Sequence, residues 1–255
     1  MKNVYKSPFR HYRRHAARED EVSFRAMEEE SDLWITVLRA SGGEALRAPA
    51  QETLRAVRSD IAGWLRACPE FGTSLVPIPV PPSAPVIVRN MGAAAAIMGV
   101  GPMACVAGAV AGAVAARLAG ESPECLVENG GDAMLYSTRE RTAGILSDPE
   151  AGVSLGLRLG PEDFPLSLCA SSAFIGHSLS LGRGDLAMAR SRNPCLADAA
   201  ATAYCNMLRT ARDVEKAVRR ARREAECLPE HIAGLFVQCD GAIAVWGEME
   251  LTPVG

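Results

Sequence analysis

A long uncharged segment restricts the folds open to this chain more than any other feature. Residues 91–116 contain no Asp, Glu, Lys or Arg, which is long enough for a segment that crosses a bilayer. Alanine and glycine dominate the segment, Gly101 and Pro102 interrupt it, and no aromatic residue anchors either end. We therefore expect a glycine loop followed by a buried helix over about residues 103–118, and no membrane segment.

The remaining composition is typical of a globular protein. Of the 255 residues, 48% are hydrophobic and 22% are charged, and the formal net charge of −3 argues against a nucleic-acid partner. None of the 8 cysteines forms a CxxC pair, so we expect buried thiols in a reducing, cytoplasmic compartment. Residues 1–18 lack the apolar core of a signal peptide and fit a solvated first strand, with a phosphate-binding arm as the alternative.

The spacing of apolar residues predicts an α+β fold with antiparallel or mixed sheets packed against long helices. Helices are predicted over about residues 45–68, 194–209 and 212–227, the second of them capped by Asn193. Strands are predicted over 22–37 (as two strands), 124–127, 153–159, 166–170, 235–239 and 242–246. Asp240 and Gly241 predict a hairpin turn, and the prolines of 71–85 predict an extended connection. We expect a single domain over residues 1–255, with an internal two-part organisation left open.

Two glycines precede the predicted central helix. Gly99 and Gly101 would let a ligand approach the backbone closely, and the N–H groups and dipole at a helix start attract phosphate. A tight packing loop is the alternative interpretation of the same residues.

A second glycine segment follows the strand predicted at residues 124–127. Its residues are Asn129, Gly130, Gly131 and Asp132. A turn of this composition presents hydrogen-bonding groups to a ligand, although ordinary turns have the same composition.

Hydroxyl side chains and a histidine lie near the end of another predicted strand. Ser171 and Ser172 are candidates for binding phosphate, and the ordinary pKa of a histidine makes His177 a candidate for proton transfer near neutral pH. A histidine held by local hydrogen bonds is the structural alternative. A Ser–His hydrolase is the alternative chemistry, but neither Ser171 nor Ser172 lies in the nucleophile-elbow pattern GxSxG.

Asp198 and Thr202 are four residues apart on a predicted helix, so their oxygen atoms lie on one stripe of it. Hard oxygen ligands suit Mg²⁺, which also binds substrate phosphates. Without a metal, Asp198 would stabilise the helix dipole and Thr202 would bond to the preceding turn.

Taken together, these segments resemble an uncharacterised family of ApbE-like proteins, which are relatives of FAD:protein FMN transferase. The segments that carry the resemblance are, in order, APVIVRNMGAAAAIMGVGPMACVAGAVA, LVENGGDAML, CASSAFIGHSLSLGRGD and CLADAAATAYCN. The resemblance extends from ESDLWI near the start to GAIAVWGEMEL near the end, and it implies the transferase-like α+β fold.

The resemblance also implies a ligand, a metal and a protein partner. FAD:protein FMN transferase uses Mg²⁺ to split FAD and attaches FMN to a threonine of a target protein. Its GGD turn matches the turn that ends at Asp132, and its Thr-Ser-Gly element is approximated by residues 171–173 with His177. Its metal-binding helix matches the helix of Asp198 and Thr202. The resemblance therefore implies bound FAD or FMN, Mg²⁺ and a protein acceptor.

The chain departs from the transferase pattern at three points. The glycine loop at residues 101–104 offers no lysine, and Glu128 stands where the transferase has an asparagine. The transferase motif histidine-Ile-Asp-Pro is absent after His177. We therefore expect the diphosphate and metal site to persist, and FMN transfer to be poor. If the protein is an enzyme, we expect phosphoryl transfer or pyrophosphate cleavage; a non-catalytic ligand-binding or assembly protein is the alternative, and homo-oligomerisation is left open.

Overall fold

An eight-stranded sheet runs through the centre of the protein. The computed structural model describes residues 17–146, 155–175, 181–227 and 232–254. The strands are β1 (Glu21–Glu28), β2 (Ser31–Leu38), β3 (Cys125–Asn129), β4 (Asp132–Tyr136), β5 (Arg141–Ile145), β6 (Leu155–Leu159), β7 (Leu166–Ser171), β8 (Leu186–Ser191), β9 (Gly234–Cys239), β10 (Ala242–Gly247) and β11 (Glu250–Pro253). The large sheet has the order β1-β2-β3-β4-β7-β8-β9-β10, and every neighbouring pair is antiparallel.

Helices cover one face of this sheet. They are α1 (Arg47–Ala67), α2 (Glu70–Thr73), α3 (Val86–Met98), α4 (Val106–Ala119), α5 (Pro194–Met207) and α6 (Asp213–Cys227). From one sheet edge to the other, α1 packs on β1, α4 on β3 and β4, α5 on β7 and β8, and α6 on β9 and β10. Helix α3 packs against α1, α4 and α5. The α+β class with antiparallel sheets and long helices is confirmed.

A smaller sheet lies on the other side. Its order is β11-β6-β5, again antiparallel. One hydrophobic core fills the space between the helices and the large sheet, and a second core joins residues of both sheets. Strand β7 contributes to both, because its side chains alternate: Cys169 belongs to the helix-side core, whereas Leu166 and Leu168 belong to the core between the sheets.

Several local predictions are confirmed. The Asn193 side chain accepts a hydrogen bond from the Leu196 amide at 3.2 Å and caps α5. Asp240 and Gly241 have φ values of 48° and 80°, as a tight hairpin turn between β9 and β10 requires. The helices predicted at 45–68 and 212–227 correspond to α1 and α6. The single-domain organisation stays a prediction.

The uncharged segment differs in detail from its prediction. It contains the second half of α3, which was not expected because its alanines and glycine show no amphipathic pattern. After the loop, a 3-10 turn over Pro102–Cys105 leads into α4. The stretch Pro102–Ala119 is long and apolar enough to cross a membrane by composition alone, with a mean hydropathy of 1.6, and 56% of it is buried inside the protein. The absence of a membrane segment stays a prediction.

Two glycines allow α4 and α5 to touch. A Cβ atom on Gly108 would lie 2.4 Å from the Pro194 carbonyl oxygen and 2.9 Å from Asp198 Cβ. A Cβ atom on Gly112 would lie 2.3 Å from Pro194 Cγ. The GxxxG spacing therefore brings the first turns of the two helices into backbone contact, and this contact positions Asp198.

Candidate functional site

The carboxylate of Asp198 is the centre of the candidate site. Asp198 lies one turn into α5, and only 8% of the residue is exposed. The Gly108 amide donates a hydrogen bond to Asp198 Oδ2 at 2.8 Å, and the Ala107 amide also hydrogen-bonds to the carboxylate. The negative charge therefore lies at the positive end of the α4 dipole. The sequence predicts free N–H groups at this helix start, whereas two of them are occupied by Asp198.

Asp132 lies close enough to Asp198 to influence its ionisation. Burial, and then the negative charge of Asp132, raise the pKa of Asp198 well above its ordinary value, although the Ala107 and Gly108 amides act in the opposite direction. Asp132 is itself buried, and its Oδ1 accepts a hydrogen bond from the Ala170 amide at 3.2 Å. The fold therefore brings together two carboxylates whose mutual repulsion a cation would relieve.

The predicted glycine segment forms the tight turn between β3 and β4. Gly130 and Gly131 have φ values of 75° and 112°, which residues with side chains rarely adopt, and both are exposed. Asn129 is buried and donates a hydrogen bond to the Ala107 carbonyl at 3.3 Å. The turn thus places Asn129 and Asp132 at the start of α4, while the two glycines lie at the surface.

The two neighbouring serines differ in their surroundings. Ser172 Oγ accepts hydrogen bonds from the Phe174 amide at 3.0 Å and the Ile175 amide at 3.1 Å, so it shapes the chain after β7. Ser171 is 4% exposed, and its Oγ has no hydrogen-bond partner among the described residues. A buried hydroxyl without a partner is uncommon in proteins, because its desolvation is not compensated.

The contacts of the first glycine loop are structural. Gly99 ends α3 with a φ of 72°, and its amide donates to the Ala95 carbonyl at 2.9 Å. A Cβ atom on Gly101 would lie 1.9 Å from the Ser74 carbonyl oxygen, so only glycine fits there. These contacts are those of the tight packing loop that the sequence left open. A role of either glycine in ligand binding stays a prediction.

Thr202 lies one turn after Asp198 on α5 and is half-buried, as the predicted stripe requires. Asn206 follows on the same stripe, and its Oδ1 accepts a hydrogen bond from the Leu181 amide at 2.7 Å. His177 lies outside the described residues. In residues 17–146, 155–175, 181–227 and 232–254, no group of three or more His, Cys, Asp or Glu side chains is arranged to hold a metal. A cation here would depend on hydroxyl, carbonyl or ligand oxygens beside the carboxylates.

The sequence predicted buried thiols, but not that three of them surround the carboxylates. Burial raises the pKa of Cys195 to about 12 and the pKa values of Cys105 and Cys169 well above their ordinary values, and the charge of Asp198 adds to each. These thiols stay neutral at neutral pH and contribute apolar packing rather than metal ligands. Cys105 and Cys195 each lie in the first helical turn after a proline, and this shared position is the sequence feature that could have placed them near the two helix starts.

Comparison with known proteins identifies the family of this chain. A family model described as "AbpE bacteria" matches residues 13–245. The chain belongs to this family. Among its relatives, the UPF0280 protein of Methanocella arvoryzae is 38% identical over 174 residues, which are 68% of this chain and 71% of that protein. The UPF0280 protein of Methanopyrus kandleri is 38% identical over 206 residues, or 80% and 81% of the two chains.

Solved structures of the same fold come from ApbE proteins. The chain is similar to the flavin transferase ApbE from Vibrio cholerae, with a TM-score of 0.60 and 12% identity over 89% of this chain and 96% of that one. A histidine-to-glycine variant of the same protein gives a TM-score of 0.58. These similarities confirm the ApbE-like fold and, at this identity, extend to the fold alone. The family model and the relatives above confirm the predicted family resemblance.

Proposed function

We propose that this ApbE-family protein binds a flavin nucleotide, FAD or FMN, or a similar diphosphate ligand together with Mg²⁺, and that it is a poor FMN transferase. The observation that carries the proposal is the burial of Asp198 beside Asp132 at the start of α4. Two carboxylates held together in a low-dielectric environment are costly unless a cation compensates them. A divalent cation accompanied by a diphosphate satisfies this requirement.

The oxygen atoms present fit Mg²⁺. Asp198 supplies a carboxylate and Thr202 a hydroxyl from the same face of α5, and Asp132 supplies a second carboxylate nearby. Mg²⁺ prefers oxygen ligands and completes its shell with water and substrate phosphates. When bound, the ion would neutralise the negative charge of the diphosphate. The Asn129 and Asp132 turn and the Ser171 segment would orient the ligand, and His177 would move a proton if a reaction occurs.

Poor transfer is proposed because positioned donors are missing. The loop of Gly101 offers no lysine, and the histidine-Ile-Asp-Pro motif is absent after His177. Losing one donor that stabilises developing charge typically costs on the order of a hundredfold in rate. Binding in the ground state depends on many contacts and is less sensitive. A residual reaction would belong to phosphoryl transfer or pyrophosphate cleavage, and the alternative is a non-catalytic ligand-binding protein on the same fold.

The compartment and partners complete the proposal. Seven thiols are buried or half-buried and one, Cys227, is exposed, and all eight are free, which fits a reducing cytoplasm. The net charge of −3 favours a small nucleotide ligand, with its metal, over nucleic acid. If FMN transfer occurs, its acceptor would be a protein.

The metal requirement is tested by isothermal titration calorimetry. FAD or ADP is titrated into the protein with Mg²⁺ and with EDTA, for wild type, Asp198→Asn, Thr202→Val and the control Asp60→Asn, an exposed carboxylate on α1. We expect Asp198→Asn to lose the Mg²⁺-dependent signal, Thr202→Val to weaken it and Asp60→Asn to keep it. Unchanged binding in Asp198→Asn would remove the metal from the proposal.

Transfer is tested separately by covalent attachment of FMN to a threonine-bearing acceptor in the presence of FAD and Mg²⁺. We expect FAD fluorescence to be quenched on binding and flavinylation to be slow. Rapid flavinylation would show that another residue replaces the missing lysine. No quench with protein at tens of micromolar would remove the flavin from the proposal.

A further inference from the structure

Ser171 faces the helices rather than the small sheet. Side chains alternate along β7, so Ser171 points to the same side as Cys169, two residues earlier. Cys169 belongs to the helix-side core, and its Sγ lies 3.8 Å from the Pro194 carbonyl oxygen at the first turn of α5. The Ser171 hydroxyl therefore points toward α5, the helix that carries Asp198 and Thr202.

The position of Ser171 along α5 follows from contacts at its two ends. Cys169 lies against Pro194, where α5 begins. Two residues after Ser171, the Ala173 amide donates to the Gly184 carbonyl at 3.0 Å, and a Cβ on Gly184 would lie 3.2 Å from Cys205 Sγ near the end of α5. Strand β7 and helix α5 thus run in the same direction. Ser171 lies beside the middle of the helix, which is the part that carries Asp198 and Thr202.

The hydroxyl is buried and without a partner. Ser171 is 4% exposed, and its Oγ makes no hydrogen bond within the described part of the chain. On the same face of the same strand, Ser167 is also buried, but its Oγ donates to the Ala133 carbonyl at 2.8 Å. The folded protein gives the Ser167 hydroxyl a hydrogen-bond partner and leaves the Ser171 hydroxyl without one. Burial of the Ser171 hydroxyl therefore costs free energy unless a bound molecule supplies the missing partner.

We infer that the Ser171 hydroxyl donates a hydrogen bond to a phosphate oxygen of the ligand. The inference rests on the proposed function and names the group that recognises the diphosphate. The part of a nucleotide that accompanies a divalent cation is its diphosphate, and the cation ligands Asp198 and Thr202 lie on the stretch of α5 next to Ser171. A hydrogen bond from a hydroxyl to an anionic oxygen is stronger than one between neutral groups.

The test uses two probes, FAD and inorganic pyrophosphate, each titrated with Mg²⁺ into the full chain by calorimetry. The variants are Ser171→Ala, Ser171→Cys, which keeps the size but is a weak donor, and the matched control Ser167→Ala. A lost hydrogen bond to a charged group corresponds to about a ten- to hundredfold weaker affinity. We expect this loss for both probes in both Ser171 variants, with an unfolding midpoint equal to or above that of wild type. Ser167→Ala should lower the unfolding midpoint and keep the affinity.

The outcomes separate the inference from the proposed function. If wild type binds both probes and the Ser171 variants bind them equally well, the inference is overturned and the proposed function stands. If Ser171 variants weaken FAD but not pyrophosphate, the hydroxyl contacts another part of the nucleotide and the phosphate assignment is overturned. If wild type binds neither probe in the presence of Mg²⁺, both the proposed function and the inference that rests on it are overturned.

Discussion

Two regions of the protein each bury a pair of neighbouring carboxylates, and the groups around the two pairs differ. In the candidate site, Asp198 lies beside another carboxylate, Asp132, and the contacts of Asp198 described above are backbone amides. In a second region, Glu21 and Glu124 share two arginines, Arg139 and Arg141; we call these four residues the ionic cluster. The cluster connects β1 with β5 of the small sheet and the residues just before β3.

The pKa values of the two regions move in opposite directions. Burial alone would raise the pKa of Glu124, but hydrogen bonds from Ser137, Thr138 and Arg141 outweigh it and lower the value to about 2. Burial raises the pKa of Asp198 most, and the negative charge of its neighbour Asp132 raises it further. Both carboxylates are almost fully buried, but only Glu124 has hydrogen-bond donors, an arginine among them, that outweigh the effect of burial on its pKa.

The difference concerns where the compensating charge comes from. The ionic cluster contains its own cations and is complete in the folded chain, as a structural ion-pair network should be. The candidate site holds two acidic groups whose repulsion the surrounding amides reduce only in part. A site of this kind gains most when a cation binds, and the comparison therefore supports a structural role for one region and a binding role for the other.

The largest expected effect comes from breaking the ionic cluster. Arg141→Met keeps most of the side-chain volume but leaves Glu21 and Glu124 buried with Arg139 as their remaining cation. Removing one partner of a buried ion pair typically costs about 3–5 kcal/mol, and we expect this loss in the free energy of unfolding measured with urea. The control Arg117→Met breaks the exposed pair with Glu121 and should cost less than about 1 kcal/mol. Equal losses of unfolding free energy in the two variants would mean that the ionic cluster stabilises the fold no more than an exposed ion pair does.

A smaller effect is expected from acid. The pKa of Glu124 falls from its ordinary value of 4.5 in the unfolded chain to about 2 in the fold. Its contribution to stability is therefore present above about pH 5 and is lost as the pH falls toward 2. Between pH 6 and pH 3, we expect wild type to lose about 2 kcal/mol more unfolding free energy than Glu124→Gln. Parallel curves for the two proteins would show that Glu124 titrates normally.

The smallest effect is expected in the candidate site. Asp198→Asn keeps an acceptor for the Gly108 amide and removes the charge that Asp132 repels. Without metal or ligand, at pH 7 to 8 and in EDTA, we expect the unfolding free energy to change by less than about 1 kcal/mol or to increase. Urea unfolding of this variant is compared with that of Glu124→Gln, which should be destabilised. A large loss of unfolding free energy in Asp198→Asn would show that Asp198 has a structural role like that of Glu124, and the proposed difference between the two regions would be wrong.

Local spacing made part of this structure predictable from sequence. The Asn193 cap and the stripe of Asp198 and Thr202 are set by neighbours within one or two helical turns, and both are found in the structure. The hairpin at Asp240 and Gly241 likewise depends on backbone preferences of the two residues themselves. The fold class followed from these elements together with the family resemblance.

Other elements depend on contacts that no local pattern reveals. Strand β8 is buried on both faces, so its residues do not alternate between apolar and polar. Helix α3 has one buried face, but apolar Val86 and Ile97 are exposed on the other, which obscures its period in the sequence. Strands β4, β5 and β11 are short and were also missed. The proximity of Asp132 and Asp198, and the solitary hydroxyl of Ser171, arise only when β4, β7 and α5 come together. The spacing of Gly108 and Gly112 is a sequence signal only for the contact of α4 with α5.

The hydrogen bond from the Ala170 amide to Asp132 has a consequence for how this protein can change over evolution. It attaches the carboxylate to one position of β7, a strand with leucines on one face and Cys169 and Ser171 on the other. A slip of one residue would exchange the faces and present leucines to α5. An insertion or deletion between β6 and β7 that shifted the strand would therefore erase the site in a single step, although point substitutions in the same loop would leave it in place.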